Sequence, residues 1–307
     1  MILMRVIALG VHVLDVLVRP VEAIPEGQGG ALVEQIKVTA AGSAGGTAVV
    51  LARLGAAVRS AGAVGTDAAG DMLLSLLERE GIDVSLLRRV DDAQTSASVL
   101  PIRPDGSRPA FHVVGANAAA GPDSVSDADL DEVGFLHLGG PEFMGGEVAA
   151  QVLARAQERG VITSADLLAP GDPGILEWVG AALPHLDWLL PNDEQALGFT
   201  GETDLIAACR ALLERGVGGV AATRGADGAV VVTADEIVEV PAFPVDVVDT
   251  TGCGDAFSAG FLRGIALGLP HADAAALGCA AAAQVAGGLG SDAGAYDLES
   301  VRAFAAR

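Results

Sequence analysis

Short runs of apolar residues, each followed by a segment with helical spacing, recur along most of the sequence, and this alternation decides the fold class. Residues 6–9 read as a strand and 45–54 as a helix; 58–64 and 68–80 form the next such pair. The pattern repeats at 134–138 with 147–158, and at 161–165 with 173–183. The short run 188–190 precedes helical stretches at 194–197 and 204–214, and 219–223 is another strand. Two Ala-rich helices, 254–266 and 272–286, close the chain. Strands that are apolar throughout are buried on both faces, so helices must cover both sides of the sheet. The expectation is a three-layer α/β sandwich.

Two stretches break the rhythm. Residues 18–40 carry β-compatible side chains without a long helix, and in 96–114 the pair Asp105-Gly106 separates two apolar segments as a hairpin turn does. Placed together, segments 16–40 and 95–116 form a small sheet standing off the sandwich, suited to covering a ligand or meeting a second subunit. No repeat or long linker divides the chain, so residues 1–307 are read as one domain carrying this inserted lid.

Composition narrows the function. The formal charge is −22, and Lys37 is the only lysine beside 17 arginines. Such acidity argues against a nucleic-acid binder, which needs a basic footprint. A nest of backbone amides can still hold phosphates inside an acidic protein. The most continuous apolar stretch, 272–286, contains Asp273 and Gln284 and is too short to span a membrane. The opening residues run directly into the first strand without a cleavable-signal layout. Cys209, Cys253 and Cys279 have neither zinc-ligand spacing nor a disulfide pattern, so a reducing cytoplasm is the expected setting.

The strongest local signal lies at Asp249-Thr250-Thr251-Gly252-Cys253-Gly254-Asp255. A strand-like approach leads into two glycines and then a helix. Glycines let the backbone turn sharply and bring N–H groups close to an oxyanion, and a helix start adds unpaired amides and positive potential. Gly252, Cys253 and Gly254 would present those amides to a transferring phosphoryl group. Asp255, one step further, could accept the proton of an attacking hydroxyl. An Asp in a first helical turn also serves simply to stabilise the helix.

This heptapeptide resembles the carboxy-terminal signature of the ribokinase family, the PfkB-type carbohydrate and nucleoside kinases, and the resemblance extends over nearly the whole chain. It implies a ribokinase-like sandwich with a β-sheet lid, an anion hole at Gly252–Gly254 and Asp255 as base. Cys253 stands where the family usually has Ala; its small side chain is not read as a nucleophile. Asp249 and Thr251 resemble residues beside a monovalent-cation (K+) site in some members. Thr223-Arg224-Gly225-Ala226-Asp227-Gly228 matches the strand and turn that flank ATP, implying nucleotide contacts at Thr223, Gly225 and Gly228, with Arg224 a second candidate for phosphate. The terminal region 281–290 resembles the segment that encloses adenine. Asn192 and Gln195 resemble the family's Asn-x-x-Glu element near Mg2+, except that Gln195 replaces the acid. An amide is a weaker partner for a hard cation, which leaves Gln195 a water-mediated contact. Asn192 also suits a helix cap.

At the acceptor end, Asp15 matches a substrate-binding Asp after the first strand. Residues 41–48 resemble the family's Gly-Gly turn, but Ala41 replaces its first Gly, and Gly46 stands where its substrate-binding Asn is expected. Gly42 still permits close backbone approach. Asn117 is the polar contact expected beside the lid. His112 reads as part of a sheet face, and Arg108 suits either a closed site or the solvated end of the hairpin. The leading expectation is ATP- and Mg2+-dependent phosphorylation of a hydroxymethyl group on a small sugar, by a homodimer joined through its lids. The alternatives are a nucleoside kinase acting on an adenosine-like acceptor, or a weakly active homologue that binds sugar or nucleotide. A silent structural partner is a third reading.

Overall fold

The computed structural model describes residues 3–104 and 107–306. The expected Asp105-Gly106 turn lies outside them. Thirteen strands, β1 (Arg5–Gly10), β2 (Val13–Arg19), β3 (Gln35–Ala41), β4 (Ala57–Gly65), β5 (Asp83–Val90), β6 (Ala97–Pro101), β7 (Phe111–Val113), β8 (Phe135–Gly139), β9 (Ile162–Asp166), β10 (Trp188–Leu189), β11 (Gly219–Thr223), β12 (Ala229–Thr233) and β13 (Ile237–Val240), form two sheets among the described residues. The helices used below are α1 (Ser43–Arg53), α2 (Ala68–Arg79), α3 (Gly146–Gln157), α4 (Asp193–Thr200), α5 (Leu205–Glu214), α6 (Cys253–Ala266), α7 (His271–Ala286) and α8 (Leu298–Ala305).

The large sheet has the order β13-β12-β11-β10-β9-β8-β1-β4-β5 and is parallel from β5 to β11. β1 shows why its apolar run folds this way: Val6 and Ala8 enter one buried core, while Ile7 and Leu9 enter the other. Helices α1, α6 and α7 contribute to the first core; α3, α4 and α5 contribute to the second. The chain builds outward from β1 through β4 to β5, then returns to β8 on the other flank. That reversal creates a switch point, and open α/β sheets bind ligands beyond the strand ends there.

The α/β expectation therefore holds. Strands β5, β12 and β13 and the terminal helix α8 were not anticipated. β12 and β13 extend the sheet antiparallel at one edge, where the regular strand–helix rhythm has ended. The expected helix 173–183 divides into an α-helix at Pro173–Trp178 and a 3-10 segment at Gly180–His185.

The small sheet, β3-β2-β6-β7, begins at Val13, so Asp15 belongs to its second strand in sheet order and not to the end of the main sheet. Its registers pair Asp15 with Thr39 and Ser98, and Ser98 with His112. Directly paired residues share a face, so these four form one polar row. The opposite face carries Val16, Val38, Val99 and Phe111, also in register. Among the described residues, no helix is long and apolar enough to cross a membrane.

α6 and α7 pack closely because small residues meet between them. A Cβ on Gly260 would lie 2.7 Å from the Gly278 Cα and 2.7 Å from the Leu277 carbonyl oxygen. Backbone cannot yield as a side-chain tip can, so Gly260→Val should destabilise the fold by about 3 kcal/mol. A lowered urea midpoint with unchanged m-value is the expected result.

Candidate active site

Two adjoining cavities open at the carboxyl ends of the parallel strands. The first, about 550 Å3, is lined by Asp15, Arg108, Asp166 and Asp255, by Gly42 at the start of α1 and by Gly252 at the start of α6. The second, about 460 Å3, has walls that include Ala226, Phe243, Val245, Phe257 and Ala283. Thr223, Thr250 and Gly254 line both.

The turn between them is braced by one carboxylate. Asp249 Oδ1 accepts from the Thr251 N–H at 3.0 Å and from its hydroxyl at 2.8 Å. Asp249 Oδ2 accepts from the Gly290 N–H at 3.0 Å. Gly252 then takes φ 79°, a left-handed conformation that glycine adopts without strain. Ser291 packs so closely there that a Cβ on Gly252 would lie 2.6 Å from its Cα. Among the described residues the N–H groups of Gly252, Gly254 and Asp255 make no hydrogen bond, whereas the Cys253 N–H donates to the Thr250 carbonyl at 3.2 Å. The expected three-amide hole is thus narrowed by one in this conformation. The Cys253 thiol contacts the Ala282 carbonyl at 3.7 Å, and burial with nearby Asp249 pushes its pKa up to about 12, so it is no nucleophile while the turn is closed.

Asp255 faces the first cavity from the first turn of α6, with its carboxylate against Gly46 of α1. A Cβ at position 46 would collide with Oδ2. The space a side chain at 46 would enter is thus occupied by the Asp255 carboxylate. Burial raises the Asp255 pKa well above the carboxylate range; Asp166 and Asp15 reinforce this, and Arg108 opposes it. Asp15 is raised to about 6, mainly by burial, with the Ser98 hydroxyl and Arg108 acting in the opposite sense.

Gly42 has φ 87°, and a Cβ there would lie 2.6 Å from the Val11 carbonyl oxygen, so the close approach expected of it is present. Thr223 ends β11 and donates its N–H to the Pro191 carbonyl at 3.0 Å. Gly225 and Gly228 take positive φ and line the second cavity. Arg224 turns away from a phosphate role: it pairs with Glu239 at 2.7 Å.

Two expected ligand contacts are structural instead. Asn117 is buried, accepting from the His12 N–H and donating to the His12 carbonyl, each at 3.1 Å, and it does not line the cavity. Gln195 exchanges capping bonds with Asn192, while its Nε2 donates to the carbonyls of Leu167 at 2.7 Å and Ala169 at 2.9 Å. A carboxylate would present only acceptors to those carbonyls, which gives a physical reason for the amide at this position. Asn192 itself caps α4 through Oδ1 and remains on the cavity wall.

Asp166 was missed. It ends β9 inside the cavity, and its Oδ1 has no hydrogen-bond partner among the described residues; the buried His137 Nε2 lies 3.6 Å away. The available signal was an acid closing a buried parallel strand. Ser43 was also passed over; its hydroxyl is buried in the cavity wall without a hydrogen bond among the described residues. His112, read as part of a sheet face, and Arg108, read as suiting either a closed site or the hairpin end, both line the cavity.

A sequence profile described as pfkB family carbohydrate kinase matches residues 7–296. The chain belongs to that family. Among its PfkB relatives is an ATP-dependent ribose-1-phosphate kinase of Halopiger xanaduensis, 32% identical over 85% of this chain and 84% of that protein. Haemophilus influenzae ribokinase is 27% identical over 81% of this chain and 82% of its own length. Arabidopsis thaliana ribokinase, solved with ribose and ATP, superposes with a TM-score of 0.86 at 25% identity, covering 99% of each chain. This chain is accordingly a carbohydrate kinase of the PfkB family with the ribokinase-like fold.

The raised Asp15 pKa has a stability consequence. A carboxyl at about 6 in the folded state and 3.8 as its ordinary value favours folding below pH 4, and this contribution is lost as pH rises through 6. Asp15→Asn should therefore raise unfolding free energy at pH 8 by roughly 1–3 kcal/mol and change it much less at pH 4. Denaturant titrations at both pH values check this.

Proposed function

We propose that this PfkB enzyme transfers the γ-phosphoryl group of ATP to a hydroxymethyl group of a small sugar, with Asp255 as general base. One observation carries the reading: Asp255 and the unengaged Gly252 and Gly254 N–H groups share the cavity that meets the apolar pocket at Thr223 and Thr250. The apolar pocket suits a nucleoside, and the turn between the cavities suits its phosphates. Asp15 can accept hydrogen bonds from acceptor hydroxyls, while the Gly252 and Gly254 amides stabilise charge developing on the transferred group. The acceptor hydroxyl, aligned beside Asp255, attacks the γ-phosphorus; its proton passes to the carboxylate as the bridging bond to ADP breaks.

Mg2+, when bound with ATP, would neutralise phosphate charge. Asp166 fits it best, because its carboxylate closes β9 on the cavity wall and its buried Oδ1 is without a hydrogen bond among the described residues. Gln195 does not fit, since its amide is committed to Asn192, Leu167 and Ala169. Asp249 and Thr251 hydrogen-bond each other, leaving main-chain carbonyls as the natural donors to any K+ near the turn. Burial with Asp166 and Asp15 nearby disfavours the ionised form of Asp255, and cationic or hydrogen-bonding groups brought beside it would favour that form. A nucleoside acceptor is the second reading, favoured by the apolar flank of Val13, Phe143 and Leu168.

Direct detection of ADP and phosphorylated product across a panel of pentoses, hexoses, sugar phosphates and nucleosides tests the reaction. Asp255→Ala should lower kcat at least about 10²-fold with the best acceptor; near-wild-type turnover would remove Asp255 as base.

The outward row of Val16, Val38, Val99 and Phe111, continued by Ile36, supports lid-to-lid homodimerisation, since Ile36 and Phe111 are 63% and 61% exposed. Light scattering should give twice the monomer mass for the native chain and the monomer mass for Phe111→Glu.

A further inference from the structure

Residues 289–292 are held between the small sheet and the phosphate-binding turn. On the sheet side, Lys37 Nζ donates to the Leu289 carbonyl at 2.7 Å and lies 2.6 Å from Asp292 Oδ1. Leu289 also packs with Leu17 and Leu100 of the sheet and with neighbouring Ile102. Gly290 sits so near the sheet that a Cβ would lie 3.1 Å from Thr39 Cγ2 and 3.4 Å from Leu17 Cδ1. On the turn side, the Gly290 N–H holds Asp249, and Ser291 packs against Gly252.

We propose that Lys37 is a positioning residue that transmits the placement of the small sheet to the phosphate-binding turn. This rests on the kinase reading for its catalytic consequence and on geometry alone for the coupling. The ammonium spans two groups of one short segment, a carbonyl and a carboxylate, which fixes that segment's orientation toward the sheet. The next residue in that segment donates to the carboxylate that braces the turn. The ion pair is partly exposed, with 26% and 22% of the two side chains accessible, so its direct stability contribution is small. Its effect is geometric: a sub-ångström shift of Gly290 is passed to Asp249, then to the amides of Gly252 and Gly254. Closing the sheet over an acceptor would thereby tighten the turn that receives the phosphate.

Cys253 offers a readout that needs no turnover, because its thiol lies within the turn, lines the apolar cavity and is protected there, so a disulfide reagent reacts with it only when the turn opens. The full chain is prepared as wild type, Lys37→Met, Lys37→Arg and Asp292→Asn. Modification by a disulfide reagent is followed with peptide mass mapping, so that Cys253 is separated from the buried Cys209 and Cys279. Steady-state kinetics use MgATP and the acceptor that wild type phosphorylates fastest. Lys37→Met and Asp292→Asn should each label Cys253 about fivefold faster and lower kcat about tenfold. KM for ATP should change less than about threefold, since most of the nucleoside pocket, including Ala226, Phe243 and Val245, lies outside the turn. Lys37→Arg, which can still reach a carbonyl and a carboxylate, should recover most of both properties. Unchanged Cys253 labelling in both charge-removing variants overturns the proposal, as does a labelling change without any fall in kcat. If wild type transfers no phosphate to any acceptor, the kinase reading fails, and the labelling rates still decide the coupling.

Discussion

Three hydrogen bonds to the Asp249 carboxylate hold the turn on which the site is built. They draw Thr251 and Gly290 onto one side chain, although these residues belong to segments 39 positions apart in sequence. With both oxygens of that carboxylate engaged, Gly252 can adopt its left-handed conformation and α6 can begin with unengaged amides at the cavity wall. The surrounding sheet places this helix start at the end of the parallel strands, beside α1. Two helix starts facing one cavity create positive potential in a chain whose formal charge is −22.

That potential answers a concentration of acids. Asp15, Asp166 and Asp255 line a single cavity with Arg108 as the arginine among its lining residues. Burial, reinforced by nearby carboxylates, disfavours ionisation of Asp15 and Asp255, so the cavity gathers acids whose charged forms are costly where they stand. Part of the polarity comes from the small sheet, whose inward row runs Thr39, Asp15, Ser98 and His112. The polar lining of the cavity is therefore divided between the sandwich and the small sheet.

Much of the fold was legible because its central strands are apolar without alternation, and a run buried on both sides has few other solutions. The glycine turn at the start of α6 was legible because glycine, helix start and acid are contiguous. The limits were equally physical. Asp15 was placed at the end of the main sheet because only two residues separate β1 from β2, too few to reveal a change of sheet. Asn117 and Gln195 were assigned to ligands because a polar side chain and a backbone partner distant in sequence cannot be paired by inspection. Asp166 escaped notice because its importance arises from convergence with residues that are far away in sequence. β12 and β13 belong to an edge whose antiparallel course the strand–helix rhythm does not announce.

Gly46 carries a wider implication for how the two helices can vary. The space that a side chain at 46 would enter from α1 holds the Asp255 carboxylate of α6, so the two positions form one steric unit although they lie on separate helices. A larger residue at 46 would require that carboxylate to swing aside, and because the tip of an acid can rotate, the result would be a redirected carboxylate and not a broken fold. Positions 46 and 255 are thus coupled through a side-chain tip and not through the backbone.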